Sequence, residues 1–275
     1  MSLPVLLLIA SGTCVVAFAL FYLLARRINN YGIVDIAWSY AFLGLGVLYG
    51  ALAHGWPLRR ILLPTLVGLW SIRLGTHLYQ RVMGHHPEED ARYREMRVRW
   101  AANFNWEMFK FYQFQALSLV LLSLPFALVC INPTPGLHPL ELAGATLWFI
   151  ALCGETFADA QLAAFNRNPE NRGKVCAVGL WRYSRHPNYF FEWLIWVAYF
   201  VFACASPWGW ISVICPASML YLLLRVTGIP MTEEQSVRSR GDAYRAYQAT
   251  TSAFIPWFPK KPAQPAPGHP PSLSP

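Results

Sequence analysis

Charge is scarce in this chain. Only 13% of its 275 residues are Asp, Glu, Lys or Arg, against about 25% in an ordinary soluble domain. With 55% hydrophobic residues and a mean hydropathy of +0.32, the composition is that of a polytopic membrane protein. Acidic residues are the rarer sign, 14 against 22 Lys and Arg. No stripe alternates Lys or Arg with aromatics, which argues against nucleic-acid binding. The six cysteines, at positions 14, 130, 153, 176, 204 and 215, show no C-x-x-C spacing and fall mostly in apolar runs. They read as small hydrophobes, with neither a disulfide framework nor a zinc site implied. Also missing are a glycine-rich phosphate loop, a G-x-S-x-G elbow and any internal repeat.

Long apolar runs are abundant. They cover residues 3–24, 33–53, 61–79, 111–131, 140–157, 189–205 and 208–224, each near the ~20 residues a crossing helix needs. The expected fold is an all-α bundle of seven membrane helices, with cytosolic loops capping a cofactor cavity. The run at 189–205 is short and aromatic, a candidate for a partly re-entrant segment. The first run lacks a basic start and a small-residue cleavage site, so it reads as a retained span. The 12 Trp, 13 Tyr and 17 Phe suit interfacial belts. One domain is expected over residues 1–257, with a Pro-rich disordered tail at 258–275.

Seven spans sort the loops into two sets. Nineteen of the 22 basic residues fall in one set, made of Arg26-Arg27, the 80–110 loop, the 160–188 loop and everything after 224. The other set holds Arg59 and Arg60, and Arg73 lies inside a span. Basic loops stay in the cytosol, so the N-terminus is expected outside and the C-terminus inside.

Few ionisable groups lie near membrane depth: Asp35, Arg73, His77, Glu155, Asp159 and Glu192. Arg73/His77 and Glu155/Asp159 are i, i+4 pairs, each on one helix face. Intramembrane charges either glue a bundle, as Asp35 with Arg73 would, or mark a site. Residues 179–193 weigh toward a site. Arg182, Tyr183, Arg185 and His186 form a basic turn, Pro187 suits the start of a helix, and Asn188 and Glu192 follow at i, i+4. A basic turn at a helix N-terminus suits an anion. A polar cavity beneath an apolar bundle suits an anionic cofactor at its mouth and a lipid-like substrate deeper in. His85-His86 with Glu88, Glu89 and Asp90 lacks a ligand pattern, and helix capping and solvation account for it, so no metal is expected.

The motifs G-E-x-x-A-D-x-Q-L (154–162), N-x-N-P-x-N-x-G-K (166–174), G-L-W-R-Y-S-R-H-P-N-Y-F-x-E (179–192) and Y-x-x-Y-x-x-x-T-S-x-F-I-P-W (244–257) resemble those of the bacterial DUF1295 membrane proteins. W-x-x-R-L-G (70–75) and E-D-x-R-Y (89–93) fit the same group. That group is similar to the steroid 5-alpha-reductases, in a superfamily that includes sterol C=C reductases and isoprenylcysteine carboxyl methyltransferases. The resemblance implies a bacterial-type inner-membrane enzyme with NADPH at its cytosolic mouth, reducing an activated C=C bond of a steroid- or lipid-like substrate. Glu155, Asp159, Asn188 and Glu192 would hold its amide and ribose groups. Lys174, Arg182, Arg185 and Arg92 would meet phosphates, with Tyr183 and His186 in the same turn. Steroid reductases carry a Gln-Glu on the second helix and a Tyr on the third. Here the second helix offers Asp35, leaving Tyr79 or His77 as the acid, oriented by Asp35 or Arg73. The alternative is an S-adenosylmethionine-dependent methyltransferase, favoured by the R-H-P turn and the Glu233-Glu234 pair.

Overall fold

The computed structural model describes residues 1–84, 86–226 and 228–261. Of the expected tail, residues 262–275 lie outside the described residues, as does His85. The described chain is all helical apart from one isolated bridge between Ser184 and Ser252. Two compact units emerge, Met1–Phe149 with Ile195–Ser218, and Ile150–Leu194 with the chain from Met219 onward.

The first unit holds α1 (Leu3–Ile28), α2 (Ile33–Leu52), α3 (Pro57–Gly84), α4 (Ala91–Arg99), α5 (Phe104–Leu122) and α6 (Leu124–Ile131). It also takes the start of α7 (Pro139–Arg167), the end of α8 (Pro187–Ala203) and most of α9 (Ile214–Tyr221). α1 carries Pro4 in its first turn and ends at Asn29, whose left-handed backbone closes the helix beside Arg26 and Arg27. α2 and α3 approach closely because Gly46 and Gly50 leave room for Pro64 and the Arg60 carbonyl. A Cβ at Gly50 would stand 2.7 Å from that oxygen. The core is aromatic: Phe42, Trp70 and Trp196 lie with centroids 5.2–5.3 Å apart, Phe126 meets Tyr199 at 4.9 Å, and Trp148 Nε1 donates to the Tyr199 hydroxyl.

Six helical stretches are long and apolar enough to cross a membrane: Leu3–Ile28, Ile33–Leu52, Pro57–Gly84, Ala101–Ile131, Pro139–Arg167 and Gly209–Arg240. The chain is a multi-pass helical membrane protein. The expected run at 189–205 is α8, whose 17 residues rise about 25 Å, short of a hydrocarbon layer of about 30 Å. The 111–131 run is broken at Ser123, where α5 ends and Pro125 opens α6.

The ends of the first unit differ sharply. At one end Gly55 N–H donates to the Cys130 carbonyl, Trp56 N–H to Asn132, and Asn132 Nδ2 to Ser206 Oγ. These bonds tie the turns after α2, α6 and α8. The last of these turns reverses tightly at Gly209, where a Cβ would fall 1.7 Å from the Ala203 carbonyl oxygen. Arg59 is buried here against Glu141 (Nε–Oε1 2.5 Å) and donates to the Thr134 and Gly136 carbonyls. At the other end, Tyr31 N–H donates to Glu89 Oε1, Tyr112 to the Tyr31 carbonyl and Arg97 to Asn29 Oδ1. Arg26, Arg27 and all the arginines of α4 belong to this end.

The second unit contains the C-terminal half of α7, a 3-10 turn at Gly179–Arg182, the start of α8, a π-turn at Leu222–Val226, α10 (Ile229–Arg240) and α11 (Asp242–Thr250). The indole of Trp181 donates to the Ala158 carbonyl at 2.8 Å and Leu180 N–H to Gln161 Oε1 at 2.9 Å, seating the turn on α7. Gly179 has φ +55° and lies against the Gln161 amide, a conformation and a space that favour glycine.

Candidate functional site

Within the second unit, a polar contact joins α7 to α8. Asn188 Nδ2 donates to Asp159 Oδ1 at 3.1 Å, while Asn188 Oδ1 accepts from Tyr189 N–H. One turn along each helix sits a buried glutamate, Glu155 on α7 and Glu192 on α8. The i, i+4 spacing puts Glu155 on the face of α7 that carries Asp159, and Glu192 on the face of α8 that carries Asn188. Carboxylates and an amide so placed suit hydroxyl or carboxamide groups, since they supply acceptors and one donor pair.

The basic turn behaves differently. Arg185, expected at a phosphate, is committed within the protein. Its Nε pairs with Glu233 at 2.5 Å, and Nη1 donates to the carbonyls of Thr251 (2.5 Å) and Gln248 (3.1 Å). His186 is buried, stacked on Tyr189 at 5.4 Å, with Nε2 3.3 Å from the same glutamate. Gln248 Nε2 donates to Glu233 Oε2. Glu233 is thus a hub that fastens α10 and α11 to the turn before α8. Tyr183 is half-buried, its carbonyl accepting from Trp257 N–H and its ring edge-on to Phe258. Lys174 and Arg182 are exposed. The Lys174 carbonyl accepts from Arg240 Nε at 3.0 Å, which adds a cation that the motif reading missed. A cavity of about 480 Å³ in this unit lies along the 248–260 segment, away from the Asp159–Asn188 contact.

The residues expected to do the chemistry belong to the first unit. Asp35 accepts from Tyr93 (2.8 Å), Arg92 (2.8 Å) and Arg81 (3.3 Å). Arg92, given a phosphate role from the sequence, is thus engaged by Asp35 and Asp90. α3 packs on α2 through Pro64, Gly68, Ser71 and Gly75. Arg73 lies two residues from both Ser71 and Gly75, and His77 two from Gly75, so both sit on the other side of α3. Tyr79 is 52% exposed. Asp35 therefore accepts from the arginine and the tyrosine of α4. Burial and the neighbouring Asp35 charge push the Tyr93 phenol well above its ordinary range, so it stays protonated and donates. Burial alone would raise the Asp90 carboxyl, but the hydrogen bonds and charge of Arg92 outweigh it and hold it below the usual range. Asp90 also caps α4 by accepting from Arg92 N–H. Among the described residues no group of His, Cys, Asp and Glu could hold a metal.

A family model described as "Protein of unknown function (DUF1295)" matches residues 21–251. Among curated proteins the chain is similar to "Uncharacterized protein C594.04c" of Schizosaccharomyces pombe, with 26% identity over 254 residues, covering 82% of this chain and 70% of that protein. No solved structure matches the chain.

Proposed function

The chain belongs to the DUF1295 family, and from that premise we propose that it is a membrane oxidoreductase that uses NADPH to reduce an activated C=C bond of a lipid-like substrate. The observation that carries the reading is the Asp159–Asn188 contact, which joins two helix faces that each bury a glutamate one turn away. Glu155, Asp159, Asn188 and Glu192 would hold the ribose hydroxyls and the carboxamide. Lys174, Arg182 and Arg240 would meet phosphates, because Arg185 and His186 are engaged by Glu233. Bound NADPH would supply the hydride. The chain would supply position, an acid and exclusion of water. Tyr79 and His77 remain the acid candidates, whereas the Tyr93 phenol is spent on Asp35.

In this proposal α8 completes a seventh crossing, at the lower limit of length, and the protein lies in a bacterial-type inner membrane. The N-terminus would be outside and the C-terminus cytosolic. Support comes from the first unit. The turns after α2, α6 and α8 are bonded together at the end where Arg59 is neutralised by Glu141, and the α4 arginines gather at the opposite end.

One observation favours a second reading. With Arg185 withdrawn, the α7–α8 contact is richer in carboxylates than in cations, which suits the sulfonium of S-adenosylmethionine and a methyl transfer. Thermal shift of the detergent-purified protein separates the two. NADPH should raise the melting temperature, and Asn188→Ala should weaken its binding about tenfold, the worth of one hydrogen bond to a polar ligand group. Stabilisation by S-adenosylmethionine alone would overturn the reductase in favour of the transferase.

A further inference from the structure

The chain after α11 carries a surface that neither reading uses. Ile255, Trp257 and Phe258 are 59%, 69% and 76% exposed, and Lys260 and Lys261 follow after Pro259. The backbone here is firmly held. Trp257 N–H donates to the Tyr183 carbonyl at 2.9 Å and Lys260 N–H to Thr250 at 2.8 Å. Ser184 Oγ donates to the Phe254 carbonyl at 2.8 Å. Buried Phe254 fixes the level of the segment, because its ring packs on Phe190 and Trp193 at 5.7 and 5.8 Å. Those residues form the first two turns of α8, where the apolar run begins. On the proposed crossing by α8, the exposed rings stand where that helix enters hydrocarbon, the depth at which Trp is enriched. The cavity of about 480 Å³ opens at the same place, lined by Thr250, Ser252, Ile255, Trp257, Phe258 and Lys260.

We propose that the 250–261 segment is a docking groove for one anionic phospholipid of the surrounding leaflet. The apolar side chains would take the upper acyl chain, and the Lys260 and Lys261 ammonium groups the headgroup phosphate. Charge complementarity selects this occupant. Two adjacent lysines beside an apolar trough match an anionic amphiphile, each basic residue near such a surface being worth about 1 kcal/mol, whereas a zwitterionic lipid carries its own cation beside the phosphate and gains less. Fixing the chain after α11 to the leaflet would also hold α11, and with it Gln248 on Glu233.

The test uses the full-length protein in lipid nanodiscs and reads Trp257 as the emission of wild type minus that of Trp257→Phe. Acyl-brominated phosphatidylglycerol should quench that difference at least twofold more than brominated phosphatidylcholine at equal mole fraction. K260A/K261A should abolish the preference, and both substitutions leave the backbone bonds in place. Millimolar inorganic phosphate should not relieve the quenching, as it would if the groove took free phosphate. Equal quenching by the two lipids, preference unaffected by the lysine substitutions, relief by phosphate or no quenching at all would each overturn the proposal.

Discussion

Replacing Arg185 with alanine separates a structural guanidinium from a ligand-binding one. The side chain pairs with Glu233 and feeds two backbone carbonyls, with 10% of its own surface and 17% of the glutamate's exposed. Removing one member of a buried pair costs about 3–5 kcal/mol. Two features place this case at the low end. His186 and Gln248 still reach the stranded carboxylate, and water reaches it in part. About 3 kcal/mol corresponds to a factor of roughly a hundred in a local opening equilibrium. Amide exchange across α10 and α11, which Glu233 and the Gln248 and Thr251 carbonyls fasten to Arg185, should therefore quicken about a hundredfold. Arg185→Lys should fall between, because one ammonium cannot serve three acceptors in a fixed fork. Exchange measured by mass spectrometry on detergent-purified protein reads this out. Unchanged protection of α10 and α11, with a tenfold or larger loss of NADPH affinity, would refute the reasoning and return Arg185 to a phosphate.

Two further outcomes follow from the first unit. Arg59→Ala should destabilise it by about 3–5 kcal/mol by leaving Glu141 buried and unpaired, while the double change Arg59→Met with Glu141→Leu should recover much of the loss; thermal melting in detergent checks both. The Asp90 carboxyl titrates below its unfolded value, so its contribution is present above that value and is lost as pH falls through the folded one. Exchange protection of α4 should drop with acid in the wild type, and less so in Asp90→Asn, whose protection is already lower at neutral pH.

Six of the seven expected spans were legible because long uncharged runs have few other uses. What hydropathy could not show was where helices continue beyond the apolar layer. α3 runs on to Gly84 through Arg81, and α7 to Arg167, because helical hydrogen bonding continues into polar sequence. The break at Ser123 was equally hidden, since Ser and Pro inside an apolar run change hydropathy little. At the candidate site, i, i+4 spacing was enough to place Glu155 with Asp159 and Asn188 with Glu192. The fate of the arginines was not legible, because their partners are remote in sequence. Arg185 meets Glu233 across 48 residues, and Arg92 meets Asp35 across 57. A basic turn looks the same whether it awaits an anion or already has one. The E-D-x-R-Y motif held the clue for the second case, since its Asp, Arg and Tyr all serve the Asp35 network.

The Arg59–Glu141 pair bears on how the chain is made. Its members are 82 residues apart, so at synthesis rates of roughly 5–20 residues per second the arginine emerges about 4–16 s before its carboxylate. A guanidinium without its carboxylate is costly to carry into hydrocarbon, which favours leaving the tip of the α2–α3 hairpin in water until then. The third helix is therefore expected to settle fully only after the seventh arrives, an order of assembly in the bilayer set by one ion pair.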